Sequence, residues 1–270
     1  MQYLYNSWPE FSADVAAATH VLLLSDYDGT LSPIVSRPED AVLPAGVRDT
    51  LAALARRPDF SVGVISGRSL AETRSLVNID DIYYAGNHGL EIEGPDLSYI
   101  NPKAQAAGTV IKDLAAWFAT ELAGIGGVII QDKGLSLSVH YRLVKEAEEG
   151  AVTDTVQRLT APLVDAGKIR VFTGKKVWEV RPPIDWHKGK AVETIAREIT
   201  TLIGLKPLLL IYLGDDTTDE DAFRVLRRPR GWSIFIGERD AVSAAEYCLA
   251  SPAEVAKFLA DLAGLRQPDA

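Results

Sequence analysis

The sequence predicts a doubly wound, mostly parallel α/β sheet carrying an inserted α+β unit, and three observations predict it. Short apolar runs recur at Val21–Leu24, Val62–Ile65 and Leu208–Leu213, each ending in a polar turn that contains glycine. Unbroken runs of this kind suit parallel strands buried on both faces. Helical patterns alternate with these runs, and strand, helix, strand, helix in that order winds a parallel sheet whose ligands gather beyond the carboxyl ends of its strands. The middle of the chain has another texture, with two helical patterns and four short strands in succession.

In chain order, the strand at Val21–Leu24 stops at Asp26, and behind Pro44 the residues Val47, Leu51 and Leu54 share one helical face. The strand Val62–Ile65 runs into Ser66-Gly67-Arg68-Ser69 and a helical stretch, and a strand at Ile82–Ala85 precedes a glycine turn. From about Pro102 to Gly174 a helix marked by Ile111, Leu114 and Phe118 leads to strands near Val128–Gln131 and Leu135–Tyr141. A helix with Val152, Val156, Leu159 and Leu163 then leads to strands near Ile169–Phe172 and Val177–Val180. Over Leu135–Arg142 the residues alternate, with Leu135, Leu137, Val139 and Tyr141 on one face and Ser136, Ser138, His140 and Arg142 on the other. One face would pack on helices and the other meet something polar. Behind Gly189, Ala191, Val192, Ile195 and Ile199 share a face, and Val255, Phe258, Leu259 and Leu262 share one near the C-terminus. Residues 102–180 are therefore expected to form an inserted cap, and 1–101 with 181–270 a discontinuous core. The connections contain Pro102, Gly174, Pro182 and Pro183, which suits a hinged cap.

Composition limits the function. The chain has 270 residues, 47% of them apolar, enough for a large domain with a smaller one. Its 28 basic and 37 acidic residues give a net charge of −9, without basic clusters, which argues against nucleic acid and anionic membrane surfaces as partners. No apolar stretch approaches the roughly 20 residues that span a bilayer as a helix. The N-terminus lacks a basic leader, and the single cysteine, Cys248, fits a reducing compartment, so a cytoplasmic protein is expected.

Four motifs carry chemistry. In Asp26-Tyr27-Asp28-Gly29-Thr30, two carboxylates at i and i+2 leaving a strand project to one side, where they can share a metal ion and a substrate. Asp and Gly after a strand can also be a simple turn. In Ser66-Gly67-Arg68-Ser69, a hydroxyl and backbone N–H groups at a strand-to-helix turn form a cradle for phosphate oxygens, or merely an N-cap with Arg68 as a surface charge. Lys188, in His187-Lys188-Gly189-Lys190, would neutralise charge beside a phosphorylated aspartate, with Lys190 as the solvated competitor. The acids of Asp215-Asp216-Thr217-Thr218-Asp219-Glu220-Asp221 would repel one another without a cation or a helix N-terminus, which suggests Mg²⁺; capping accounts for Glu220 and Asp221. Glu220 stands where a calcium loop needs glycine. Three strand ends of one sheet and the intervening lysine converge in space, and phosphoryl transfer is the reading that uses all four.

With these motifs the chain resembles the haloacid dehalogenase-type phosphatases, which have a Rossmann-like core. The resemblance implies Asp26 as nucleophile and Asp28 as general acid, then base. It implies Ser66 and Lys188 as ligands of the phosphoryl group, in the loop with Gly67 and Arg68. Mg²⁺ would be held by Asp26, the backbone carbonyl of Asp28 and Asp215, with Asp219 supporting and Asp216 a further contributor. An α/β cap between the second and third motifs resembles the sugar phosphatases, and SGRS, Ala85–Glu91, Lys133-Gly134 and Lys176–Pro182 resemble the trehalose-6-phosphate phosphatase family within them. That resemblance implies sugar contacts from Gln131, Lys133 and Glu179, with Asn87 and His88 near the substrate. Gln131 departs from a pattern that often has glutamate there. Taken alone, Lys133 and Glu179 read as a surface ion pair, and His88 as structural. The expected partners are a small sugar phosphate and a separate trehalose-6-phosphate synthase, and the chain is expected to be a monomer. The competing readings are a phosphatase for sucrose 6-phosphate or mannosyl-3-phosphoglycerate, a phosphomutase, and a catalytically silent sugar-phosphate-binding domain.

Overall fold

A computed structural model of the chain describes residues 1–204, 207–226 and 231–265. They fall into two units, one of Met1–Tyr99 with the chain from Trp186 onward, the other of Ile100–Asp185.

The first unit begins with β1 (Gln2–Tyr3), α1 (Trp8–Ala17), β2 (His20–Ser25), α2 (Ala45–Ala55), β3 (Phe60–Ile65) and α3 (Leu70–Val77). It continues with β4 (Tyr83–Gly86), β5 (Glu91–Glu93) and β6 (Ser98–Ile100). The second unit holds α4 (Pro102–Glu121), β7 (Ile129–Asp132), β8 (Leu137–His140), α5 (Glu149–Asp165), β9 (Arg170–Gly174) and β10 (Val177–Arg181). The chain then returns to the first unit with α6 (Lys188–Ile203), β11 (Leu208–Gly214), α7 (Glu220–Val225), β12 (Gly231–Ile236), β13 (Tyr247–Leu249) and α8 (Pro252–Gly264).

The apolar runs are unbroken because alternate residues of each central strand face different helical layers. In β2, Val21 and Leu23 pack in a cluster with Val47, Leu51, Phe258 and Leu262 of α2 and α8. Leu22 and Leu24 pack with Val192, Ile195, Ile199 and Phe223 of α6 and α7. Fully burying such a side chain contributes about 1.5–3 kcal/mol, so a polar residue in either register would be costly. The nine strands run β1-β13-β12-β11-β2-β3-β4-β5-β6, parallel from β1 to β4, with β5 antiparallel to β4. The chain proceeds outward from β2 in one direction and from β11 in the other, so the order reverses between these two strands. Beyond their carboxyl ends lies the crevice where a doubly wound sheet binds its ligands.

The second unit is a four-stranded antiparallel sheet, β7-β8-β10-β9. Its apolar face, with Leu137, Val139 and Val180, packs on Ile111, Leu114 and Phe118 of α4 and Val152 and Val156 of α5. The alternation expected from Leu135 begins only at Leu137, because Gly134 turns the chain with φ 77° and Lys133 N–H donates to Ser136 O at 3.0 Å. Ser136 and Ser138, expected on an open face, are buried. Phe118 has no exposed surface in this core, and truncation leaves a cavity that its neighbours close only in part. Phe118→Ala is expected to cost about 3–5 kcal/mol of stability in urea denaturation followed by circular dichroism, and a loss under about 1 kcal/mol would contradict this packing.

Candidate active site

Asp26 leaves β2, and its amide donates to Leu213 O of β11 at 2.8 Å, so the residue expected to be the nucleophile is fixed at the reversal point. Gly29 follows with φ 84°, and a Cβ there would overlap the Asp215 carboxylate. Only glycine allows this approach, which brings the first and fourth motifs into contact. Thr30 Oγ1 donates to Asp215 Oδ1 at 3.3 Å.

Lys188, the first residue of α6, reaches into the same space with 2% of its surface exposed. Its ammonium donates to Asp26 Oδ1 at 2.6 Å and to Asp219 Oδ1 at 2.7 Å, so Lys188 is the lysine that stands beside Asp26. Asp219 is fully buried. Its Oδ1 also accepts from the Tyr212 hydroxyl at 2.6 Å, and its Oδ2 from the amides of Asp215 at 3.2 Å and Asp216 at 3.1 Å. A carboxylate has about four acceptor positions, and four donors occupy those of Asp219. Asp26, Asp215 and Asp219 each offer an oxygen within 4.8 Å of the others and could hold a metal ion. Since Asp219 is already engaged, Asp26 and Asp215 have the oxygens open to a cation, and Asp219 adds its charge from behind them.

The other predicted ligands stand elsewhere. Asp216 lies outside this group of three: its exposed carboxylate accepts from Thr217 N–H at 2.6 Å and caps the turn over Thr217–Asp219. The Asp28 carboxylate sits in the fork of Arg68, with Nε to Oδ2 and Nη2 to Oδ1 both at 2.8 Å. Arg68 is 6% exposed and also donates to Pro38 O and Glu72, so it is no surface charge. Glu220 does not cap a helix; it accepts from Ser243 Oγ at 2.6 Å and Ala244 N–H at 2.7 Å. Asp221 pairs with Arg224. Ser69 caps α3 by accepting from Glu72 N–H at 3.2 Å, whereas Ser66, 1% exposed, accepts from Arg68 N–H at 3.2 Å within the loop. Asn87 and His88 are buried in a turn whose amides donate to Arg68 O at 2.6 Å and Ser66 O at 2.9 Å.

In the second unit, Gln131 and Glu179 both pair with Ser138, so they stand in one row across three strands. Lys133 Nζ is 3.5 Å from Glu179 Oε1, Arg181 pairs with the other oxygen, and His140 Nε2 is 3.2 Å from Gln131 Oε1. The Lys133 and Glu179 side chains are 7% and 15% exposed, so this is not a surface ion pair. Arg181 and Tyr212 escaped the sequence reading. For Tyr212 a signal existed, a hydroxyl within the apolar run Leu208–Leu213, two residues before Gly214.

The family model for trehalose-phosphatase matches residues 24–252. A trehalose 6-phosphate phosphatase from Zea mays is 35% identical, over 96% of this chain and 75% of its own length. A trehalose-phosphate phosphatase from Mycobacterium bovis is 40% identical, over 93% of this chain and 63% of its own. Among solved structures, the C-terminal domain of a Candida albicans trehalose-6-phosphate phosphatase superposes with a TM-score of 0.76 at 24% identity, covering 96% of this chain and 98% of that one, and so shares the fold.

The electrostatics of the acidic group call for a cation. Burial pushes Asp26 well above the usual carboxylate range, with Asp219 and Asp215 adding to it and Lys188 opposing. Burial, then Asp219, pushes Asp215 up to about 7. Burial alone would lower Lys188, but Asp219 and Asp26 outweigh it and hold its ammonium charged. One ammonium does not balance three carboxylates, and a divalent ion among them would restore the ionised state. An unfolded carboxylate loses its proton near 3.8, whereas folded Asp215 keeps it to about 7, so between these values the folded state binds more protons. Stability without divalent ions should therefore fall as the pH rises through that window. Thermal melts in EDTA are expected to show a decreasing melting temperature from about pH 4.5 to about pH 8, with added Mg²⁺ stabilising more at the upper end. A melting temperature that rises over this range in EDTA would contradict the arrangement.

Proposed function

The chain belongs to the trehalose-phosphatase family, and from that premise we propose that it is a Mg²⁺-dependent phosphatase hydrolysing trehalose 6-phosphate through an aspartyl-phosphate on Asp26. The observation that carries the reading is the Lys188 ammonium, 2.6 Å from Asp26 and 2.7 Å from Asp219, at the reversal point of the sheet. It leaves one carboxylate oriented by a cation and beside a second acid, Asp215, as an attacking group for a phosphate ester requires.

The first half-reaction forms a bond from an Asp26 oxygen to phosphorus and breaks the bond from phosphorus to the sugar oxygen. Asp28, whose carboxyl is oriented by Arg68, gives its proton to that oxygen. In the second half-reaction Asp28 takes a proton from water, the water oxygen bonds to phosphorus, and the Asp26–phosphorus bond breaks. Ser66 and Lys188 hold phosphoryl oxygens, and Gly67 and Arg68 complete that loop. Mg²⁺ would be held by Asp26, Asp215 and the Asp28 backbone carbonyl, and when bound it neutralises charge on the phosphoryl group.

Discrimination among sugars we assign to Gln131, Lys133 and Glu179, with Asn87 and His88 near the substrate. Lys133, in the turn after β7, offers donors and Glu179 of β10 acceptors, the pairing that hydroxyls on a disaccharide need. No described helix is long and apolar enough to cross a membrane. We place the protein in the cytoplasm, acting on a sugar phosphate made by a separate synthase.

Two measurements test this. Phosphate release across trehalose 6-phosphate, sucrose 6-phosphate and mannosyl-3-phosphoglycerate should favour the first and vanish in EDTA; a strong preference for another compound would sink the substrate assignment. Asp26→Asn should reduce kcat by a factor of about 10³ or more while the circular dichroism spectrum is kept. Near wild-type turnover in that variant would remove the aspartyl-phosphate.

A further inference from the structure

Three consecutive residues, Asn87, His88 and Gly89, hold left-handed backbone, with φ of 51°, 58° and 93°. Two non-glycine residues in succession persist there only where their surroundings over-determine them. Here the surroundings are the phosphoryl-binding loop itself. Asn87 N–H donates to Arg68 O at 2.6 Å and His88 N–H to Ser66 O at 2.9 Å. A third tie comes from outside the loop: Glu91 Oε1 accepts from Asn87 Nδ2 at 2.7 Å and from Leu70 N–H, at the start of α3, at 2.8 Å. One carboxylate oxygen thus joins the turn to the helix that follows the loop.

The consequence follows from peptide geometry. In a planar trans peptide the C=O of one residue and the N–H of the next point in opposite directions. Because the carbonyls of Ser66 and Arg68 face the turn, the amides of Gly67 and Ser69 face away from it. The loop is held by its carbonyls, while the amides of Ser66 and Arg68 donate within the protein, to Ala85 O at 2.9 Å and Ser66 Oγ at 3.2 Å. The first amide of α3 is meanwhile taken by Glu91, so the helix N-terminus does not compete for the anion.

We propose that Glu91 is a positioning residue for phosphoryl binding: through Asn87 it locks the left-handed turn that holds the carbonyls of Ser66 and Arg68 away from the phosphate, where their negative ends would repel it. This rests on the reading of Ser66 and its neighbours as the phosphoryl site. Glu91 touches no substrate; it acts on affinity for the phosphate, not on the sugar.

The test is calorimetric binding of inorganic phosphate to the full chain, with KM for trehalose 6-phosphate measured alongside. Glu91→Ala is expected to weaken phosphate binding about tenfold, the loss typical of a charge-assisted hydrogen bond, and to raise KM in step. Glu91→Gln, which keeps a carbonyl oxygen at that place, is expected within about threefold of the wild type. Ser251→Ala, which removes the N-cap of α8, should lower the melting temperature and leave phosphate affinity unchanged. Phosphate affinity within about twofold of wild type in Glu91→Ala, or an equal loss in Ser251→Ala, would overturn the proposal. Should Glu91→Ala fail to fold, Asn87→Gly decides: it removes the donor to Glu91 at a φ that glycine accepts, and unchanged phosphate affinity there overturns the proposal equally. These binding measurements stand whether or not trehalose 6-phosphate is hydrolysed, so failure of the function reading shows separately, in the phosphate-release assay.

Discussion

The ammonium of Lys188 lies between Asp26 and Asp219 where almost no water reaches, and the rest of the site is arranged around that fact. Desolvating such a group costs several kcal/mol, and a buried ion pair is often no more stable than apolar residues of the same volume. The arrangement therefore makes sense as chemistry, not as a stabilising contact. It is also completed on every side. Asp219 accepts from Tyr212 and two backbone amides as well as Lys188, so its charge is fully engaged and its position admits little freedom. Because Asp215 and Asp216 contribute those amides, the carboxylate that anchors Lys188 also fixes the turn that carries Asp215. One buried acid thus sets the positions of both the lysine and a second acid.

The parallel sheet makes this convergence possible. Asp26 and Asp215 are remote in sequence, yet β2 and β11 are hydrogen-bonded neighbours, paired from Leu208↔His20 to Leu213↔Ser25. A shift of that register by one residue would turn every side chain of one strand to the opposite helical layer. The two apolar cores therefore enforce the alignment that brings the carboxylates together. Gly29 permits the last approach, since any Cβ there would occupy the place of the Asp215 carboxylate.

The parts legible in the sequence were those whose physics is local. The central strands announced themselves as unbroken apolar runs because they are buried on both faces, and the motifs after them because acids, glycine and serine are unusual immediately beyond such runs. The short strands β1 and β6 at the edges, and β13 and β5 beside them, carry no such signal. The same holds within the site. For Arg68 a surface charge stayed open as an alternative, because nothing near it in sequence reveals the Asp28 carboxylate or Pro38 O that it meets. Asp216 looked like a ligand because it adjoins Asp215, whereas the backbone turn that directs it to Thr217 becomes visible only in three dimensions. Asp219 was legible as an acid of the site, but its role as an anchor depends on Tyr212, from the preceding strand.

The groups around Asp26 address features that every phosphate monoester shares, namely a tetrahedral anion and a leaving oxygen, so they cannot by themselves distinguish one sugar phosphate from another. Discrimination has to come from partly buried polar groups that lose hydrogen bonds when the wrong sugar is bound, and such groups can reject an analogue far more strongly than an apolar pocket can. The row in the second unit has that character. Glu179 is held between Lys133 and Arg181, and Gln131 is held by His140, so donors and acceptors are fixed before any sugar arrives. A glutamine where the resembled enzymes often have glutamate keeps a carbonyl acceptor and gains a donor, which would change what a sugar hydroxyl bound there must offer. On the proposed assignment, substrate identity rests with side chains that take no part in the chemistry at phosphorus, and the two properties can vary independently.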